Sequence, residues 1–337
     1  MPDYLNLICG LPDGGRVWIT RLQPPIEFQW DGTACFWPQI NIERPCLPIW
    51  VGPASTPRVT LGPGPVVNYI ADPDLCGAAL RSASALARQV PRPWFNHPDR
   101  IRATTRDQVS EILQGIPGVA VPKVIRCSAD CVEDIRGAIA DHGLAYPVLV
   151  RTVGSQRGLT LARIDRRDDT QSFMACLAAG AELYICPFVD FAGADGLYRK
   201  YRVAMIGGQP FLNSLITGVH WNVHASSRIW NDDAIAEERA ALDGFASGLG
   251  ARFGQQLEEI HRRLGLDYFG MDFAIRPDGS MLIFEANAVM DVLGLGPSTL
   301  EPDIWALSGL AIKAALLALL DQPDRWVEAG FNGSAKS

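Results

Sequence analysis

Residues 266–290 read LDYFGMDFAIRPDGSMLIFEANAVM, two strand-like runs joined by Asp278-Gly279, a pair that favours a two-residue hairpin turn. With those two residues as the turn, Pro277 pairs with Ser280, and the count back along both strands sets Asp272 opposite Glu285. Asn287 lies two residues further along the same face. The other face carries Met271, Phe273, Ile275, Leu282, Phe284 and Ala286, an apolar row suited to a core. Two carboxylates facing across a strand pair repel at a cost of about 0.2–1 kcal/mol when exposed, and more when buried, so a cation is expected to offset them. Asp and Glu with an Asn carbonyl are hard oxygen donors, which favour Mg2+ or Mn2+ over Zn2+ or copper. A surface hairpin with incidental acids is the plain alternative.

A second hairpin signal, Gly207-Gly208, separates Tyr198–Ile206 from 209–216 and sets Arg202 opposite Asn213. An Arg on a rigid strand beside a metal site suits stabilisation of charge on a transferring phosphoryl group. Its ordinary reading is an ion pair with Asp195 or Glu182. Further upstream, the β-branched run 146–151 leads into Thr152-Val153-Gly154-Ser155-Gln156-Arg157-Gly158. Glycines let backbone N–H groups approach phosphates closely, although such a loop alone would serve equally well as an ordinary hairpin connection.

The chain has 337 residues and a net charge of -7, long enough for several lobes with real cores and too acidic for a general nucleic-acid surface. No apolar run approaches the roughly 18 residues of a membrane span, and the longest candidate, 310–320, contains Lys313. The start, MPDYLNLICGLPDGG, lacks the basic region of a secretory signal. Eight cysteines without a CxxC pair read as reduced thiols, so a cytoplasmic location is expected, without membrane or nucleic-acid partners.

The spacing of DFAIRPDG with FEANA resembles the C-terminal metal-binding hairpin of the ATP-grasp superfamily, which includes glutathione synthetase, D-alanine:D-alanine ligase and ribosomal-protein glutamate ligases. RKYR at 199–202, HWNVH at 220–224 and EER at 237–239 are similar to an ATP-grasp module found behind tetratricopeptide repeats in bacterial proteins. The resemblance implies an α/β (α+β) chain in which two α+β lobes grip ATP behind a small α/β preparatory domain. The boundaries expected are 1–93 for the preparatory domain, 94–187 for the small lobe, 188–325 for the large lobe and 326–337 for a tail.

The same resemblance implies ATP and Mg2+, with Asp272, Glu285 and Asn287 as metal ligands and Arg202 with Asn287 as catalytic residues. Lys123 is placed near the nucleotide phosphates, with a solvated strand-end lysine as the other reading. Arg151 stands where the family carries Lys and is expected, with Gly154, Ser155, Gln156 and Gly158, to hold the phosphates. Tyr184, Cys186 and Phe188 fall on the strand and hinge that meet adenine. His220 and His224 are spaced to meet on a helix, but Trp221 and Val223 argue for a loop, and the resemblance makes this a flap beside the acceptor, with Asn213 and Trp221 near it.

The activity implied is an ATP-dependent carboxylate–amine ligase working through an acyl-phosphate on a small molecule or peptide. Ring closure or ester formation on a ribosomal peptide, and a non-catalytic nucleotide-binding regulator, are the alternatives. The unmatched first sixty residues suit either peptide recognition or a homodimer interface equally.

Overall fold

The computed structural model describes residues 5–22, 27–30, 46–52, 59–155, 160–177, 181–290, 292 and 303–327. The chain begins with β1 (Leu5–Gly10), the antiparallel pair β2 (Val17–Arg21) and β3 (Glu27–Trp30), β4 (Cys46–Val51) and β5 (Val66–Asn68). Helices α1 (Gly77–Ala87), α2 (Pro98–Arg102) and α3 (Arg106–Ile112) follow, with β6 (Trp94–Phe95) between the first two. Strands β4, β1, β5 and β6 form one parallel sheet in that order. Neither Asp72 nor Asp74 caps α1. Asp72 Oδ1 instead accepts from the amides of Asp74 and Leu75, closing a turn ahead of the helix, and Asp13 Oδ1 accepts from Ala78 N at 3.0 Å.

Next come β7 (Val119–Ala120), β8 (Ile125–Ala129), α4 (Val132–Asp141), β9 (Val148–Thr152), β10 (Ala162–Ile164), α5 (Thr170–Cys176) and β11 (Ala181–Pro187). Strands β10, β9, β11 and β8 make an antiparallel sheet in that order. The alternation of its strands separates two faces. Val148, Val150, Leu183 and Ile185 pack with Ile135, Ile139 and Phe173 into a core of their own. Leu149, Arg151, Tyr184 and Cys186 point the other way, into a cavity.

The large lobe is built from β12 (Tyr198–Ile206), β13 (Gln209–Gly218), α6 (Asp232–Gly244), α7 (Leu249–Arg252), α8 (Gly254–Leu264), β14 (Tyr268–Ile275), β15 (Met281–Asn287) and α9 (Asp303–Leu320). Its five-stranded sheet runs β13-β12-β14-β15-β7, with β7 parallel to β15. Phe269, Phe273 and Ile283 share one buried cluster with Leu5 and Trp94 of the N-terminal sheet and with Leu80 of α1. Each side chain of that kind contributes about 1.5–3 kcal/mol when removed from water. The N-terminal and large-lobe sheets therefore share a core from which the small lobe is separate.

The lobe boundaries differ from those expected. Residues 94–120 do not belong to the small lobe, because β6 is the edge of the N-terminal sheet and β7 pairs with β15. The first small-lobe strand, β8, starts at Ile125, since Pro122 has no N–H to give a ladder and Ser110 Oγ occupies the neighbouring groups, bonding Pro122 O and Val124 N. The tail also begins later than 326. Trp326 is buried, and its Nε1 donates to Leu319 O at 2.8 Å.

A buried polar joint locks the N-terminal sheet to the large lobe. Asn96, at φ 50, gives its Nδ2 to Tyr268 O and accepts from Tyr268 N at Oδ1, both at 2.9 Å. Asn is one of the few residues that tolerates this left-handed backbone. Asp267 accepts from the amides of Asn96 and Val327, both at 2.7 Å. Among the described residues no helix is long and apolar enough to cross a membrane.

Asp267→Ala removes the acceptor of two amides, and an unsatisfied buried donor costs about 1–3 kcal/mol. Denaturant unfolding should show a loss of about 2–5 kcal/mol. A loss below about 1 kcal/mol would show that the joint is not what holds the two sheets together.

Candidate functional site

The β14–β15 hairpin reaches its expected pairing by an unexpected route. Its turn has three residues, 277–279, closed by Arg276 N to Ser280 O at 2.9 Å, with Gly279 at φ 83 supplying the left-handed position. That alone would shift every partner by one residue. A β-bulge on β15 at Phe284 restores the register, so Phe273 pairs with Ile283 while Asp272 still pairs with Glu285 and Gly270 with Asn287. On the turn side of the bulge the faces are exchanged relative to the expected pattern. Met281 and Ile283 join the main core, whereas Leu282 packs with Ala274, Phe191, Ile216 and Val223 in a separate cluster that Phe284 flanks.

A second bulge, on β13, places Arg202 opposite Ser214 rather than Asn213. Asn213 does not face Arg202; its Nδ2 donates to Val292 O at 2.6 Å. Arg202 also pairs with Asp272 on β14, so one line of residues, Ser214, Arg202, Asp272 and Glu285, crosses four strands. Arg202 grips Asp272 through two bonds, Nε to Oδ1 at 2.8 Å and Nη2 to Oδ2 at 2.9 Å. Lys200, two residues earlier on the same face, is 3.2 Å from Asp272 Oδ2. Glu285 pairs with Arg106 at the first turn of α3. The repulsion between the two acids is thus offset by side chains from a neighbouring strand and a distant helix. Burial opposes ionisation of Asp272, but Arg202 and Lys200 outweigh it and hold the carboxyl below its usual range. Burial likewise acts against Glu285, and Arg106 overcomes both this and the nearby Asp272 to keep it low.

These groups line one cavity of about 830 Å³ between the two lobes, within the usual range for small-molecule sites. Arg106, Arg151, Lys200 and Arg202 face the two carboxylates there, so positive charge is in excess. Arg151 bonds Ser155 O, while its Nε is buried without a partner. Burial and the neighbouring Arg106 bring its pKa down to about 10. A cation in this state is one that an anionic ligand would stabilise. Asn287 Oδ1, beside the carboxylates, is also buried without a partner. Together, two carboxylates and a free carbonyl oxygen fit a hard divalent cation. Gly270 opposite Asn287 leaves room for Met290, which a Cβ would meet at 2.6 Å.

Part of the cavity lining is apolar. Leu149, Leu161, Phe188, Phe191 and Phe284 belong to it, with Trp221 edge-on to Phe188 at 5.7 Å between ring centroids. Tyr184, Cys186 and Phe188 all border the cavity, and burial pushes the Cys186 thiol up to about 11. His224 and Trp221 line it from a loop rather than a helix, whereas His220 is exposed and lies outside the lining. Burial, then Lys200, lowers the pKa of His224.

Other expected residues are not brought into the lining. Lys123 is exposed and outside it, because the segment 121–124 is not a strand and directs Val121, Pro122 and Val124 inward instead. Gly154 and Ser155 form the turn after β9 beside Arg151, and Ser155 Oγ donates to Thr152 O at 2.6 Å. Gln156 and Gly158 lie outside the described residues. Two cations escaped the sequence reading as site residues. Lys200 was accessible from its i, i+2 relation to Arg202 on a strand, but Arg106 follows a helix cap and has no local signal pointing to Glu285, 179 residues away.

No protein-family model matches the sequence, and no curated protein sequence matches it. Among solved structures, D-alanine–D-alanine ligase from Bacillus anthracis is similar with a TM-score of 0.54 at 11% identity, over 97% of this chain and 99% of that one. VanG D-Ala:D-Ser ligase from Enterococcus faecalis gives 0.51 at 11% identity, over 95% and 100%. Carboxyaminoimidazole ribonucleotide synthase from Aspergillus clavatus gives 0.44 at 18% identity over 76% of this chain, which spans 60% of that chain. The order of lobes and sheets around the cavity, together with the likeness to the two ligases, gives the chain the ATP-grasp fold.

Proposed function

We propose that this chain is an ATP-dependent ligase that joins a carboxylate to an amine through an acyl-phosphate, releasing ADP and phosphate. The observation that carries the reading is one cavity in which four cations surround Asp272, Glu285 and the free Asn287 oxygen, with apolar and aromatic side chains in the same lining. Arg106 and Arg151 are set to hold phosphate oxygens, and Arg is a good bidentate partner for them. Leu149, Phe188 and Phe284 offer apolar surface to adenine.

In the reaction, a donor carboxylate oxygen attacks the γ-phosphorus and the bond to ADP breaks. The acceptor amine then attacks the acyl carbon, phosphate leaves and the nitrogen loses its proton. Arg202 and Lys200, on a rigid strand, stand where negative charge would develop on the transferring group. Mg2+ held by Asp272, Glu285 and Asn287 would supply Lewis-acid charge on phosphate oxygens. The loop around Trp221 and His224 borders the cavity and would limit water, which otherwise hydrolyses an acyl-phosphate. That loop is the part of the lining suited to an acceptor, whether an amino acid, another small metabolite or a peptide.

Asp272→Asn and Glu285→Gln should each lower Mg-ATP turnover by about a hundredfold or more, measured as ADP release. Retention of full turnover would remove these residues from the metal site. Arg151→Lys should leave nucleotide affinity within about tenfold, a shift of about 1.4 kcal/mol, in calorimetric titration. Complete loss would mean that the planar guanidinium does what an ammonium cannot. Mass spectrometry with Mg-ATP and a pool of amino acids and short peptides should show ADP, phosphate and a product one water lighter than its two parents. Nucleotide that binds yet stays intact with every acceptor would contradict the ligase reading.

A further inference from the structure

The small lobe has its own core, yet a loop of the N-terminal sheet reaches across to it. Residues 72–76 form that loop, and it is stiff. Asp72 Oδ1 ties the amides of Asp74 and Leu75 at 3.0 and 3.1 Å, Cys76 N bonds Asp72 O at 2.9 Å, and Asp13 N bonds Leu75 O at 2.6 Å. From this base, Asp74 Oδ1 accepts the Tyr184 hydroxyl at 2.7 Å and lies 3.2 Å from Arg126 Nη1. Arg126 also covers the Tyr184 ring, 5.6 Å from its centroid.

Arg126, Tyr184 and Arg151 are direct partners across β8, β11 and β9, so they form one rung of the small-lobe sheet. One end of the rung rests on Asp74, and the other is the cation in the cavity. Leu75 adds a second contact. A Cβ on Gly154 would fall 2.7 Å from Leu75 Cδ2, and Gly154 is at φ 72, so both space and backbone call for glycine there. The loop therefore bears on both elements that would grip phosphate, Arg151 and the turn that follows it. A paired β rung moves as a unit, so displacing Tyr184 displaces Arg151.

We propose that Asp74 is a positioning residue, which through Tyr184 and Arg126 sets the small-lobe sheet against the N-terminal sheet and so couples the N-terminal sheet to the phosphate grip. The identity of the gripped ligand rests on the ligase reading; the latch itself does not. Asp74 is not among the residues that line the cavity, and its side chain is mostly buried between the lobes, at 11% exposure. Removing it leaves the Tyr184 hydroxyl and Arg126 without that partner in a partly dry setting, where the loss is felt more than at an open surface.

The test uses the full chain with Asp74→Ala, Leu75→Ala and Asp74→Asn, the last keeping an acceptor for Tyr184. Hydrogen exchange without ligand should run about tenfold faster in 148–155 and 182–187 for the two alanine variants, with β14 and β15 unchanged as a control for folding. Release of a fluorescent ATP analogue should quicken by about tenfold in the same variants and by less in Asp74→Asn. Wild-type exchange in 148–155 for both alanine variants overturns the latch. Faster exchange with unaltered release overturns the coupling. A wild-type chain that binds no nucleotide contradicts the ligase reading alone, and the exchange measurement still decides the latch.

Discussion

Two carboxylates, Asp272 and Glu285, face each other on adjacent buried strands, and the rest of the site is arranged around the cost of that pairing. Neither could stay ionised there without cations close by. The chain meets the requirement from two elements. Arg202 and Lys200 come from β12, and Arg106 comes from α3. The positive charge that neutralises the acids is also the charge that a polyphosphate needs. A site built in this way holds its acids and its cations in one place before any ligand arrives, so little reorganisation is left for the reaction.

That arrangement depends on how the cores are divided. The N-terminal and large-lobe sheets share one core and are joined through Asn96 and Asp267, which fixes α3 and therefore Arg106 relative to Glu285. The small lobe packs on itself and faces the cavity with Leu149, Arg151, Tyr184 and Cys186. Separate cores permit relative movement of a lobe, and the contact of Asp74 and Leu75 with Tyr184 and Gly154 is where such movement would be restrained. The strong alternation of β9 and β11 serves both ends at once, with one face packing the lobe and the other facing the ligand space.

Much of this was legible in the sequence because strand periodicity and glycine chemistry are local. The facing of Asp272 and Glu285 followed from counting out of a turn, yet the count succeeded only because a three-residue turn and the bulge at Phe284 compensate. The single bulge near Asn213 had no such compensation, and there the count failed. Bulges are set by packing on both faces of a sheet and leave little trace in one strand's pattern. Lys123 lies outside the cavity lining because the chain around Pro122 is coil and turns Val121, Pro122 and Val124 inward instead. Arg106 and Asp74 could not be read at all, since their partners lie 179 and 110 residues away and only the folded chain brings them together.

The carboxylates now held by arginine and lysine are the groups that a divalent cation would have to occupy beside a nucleotide. A crystal structure with Mn2+ and a non-hydrolysable ATP analogue, read by the anomalous signal of the metal, tests this most directly. Mn2+ is expected on Asp272, Glu285 and Asn287, with Arg106, Arg151, Lys200 or Arg202 turned onto the phosphates. Nucleotide bound with Asp272 and Glu285 still engaged by Arg202 and Arg106, and no metal at these oxygens, would contradict it.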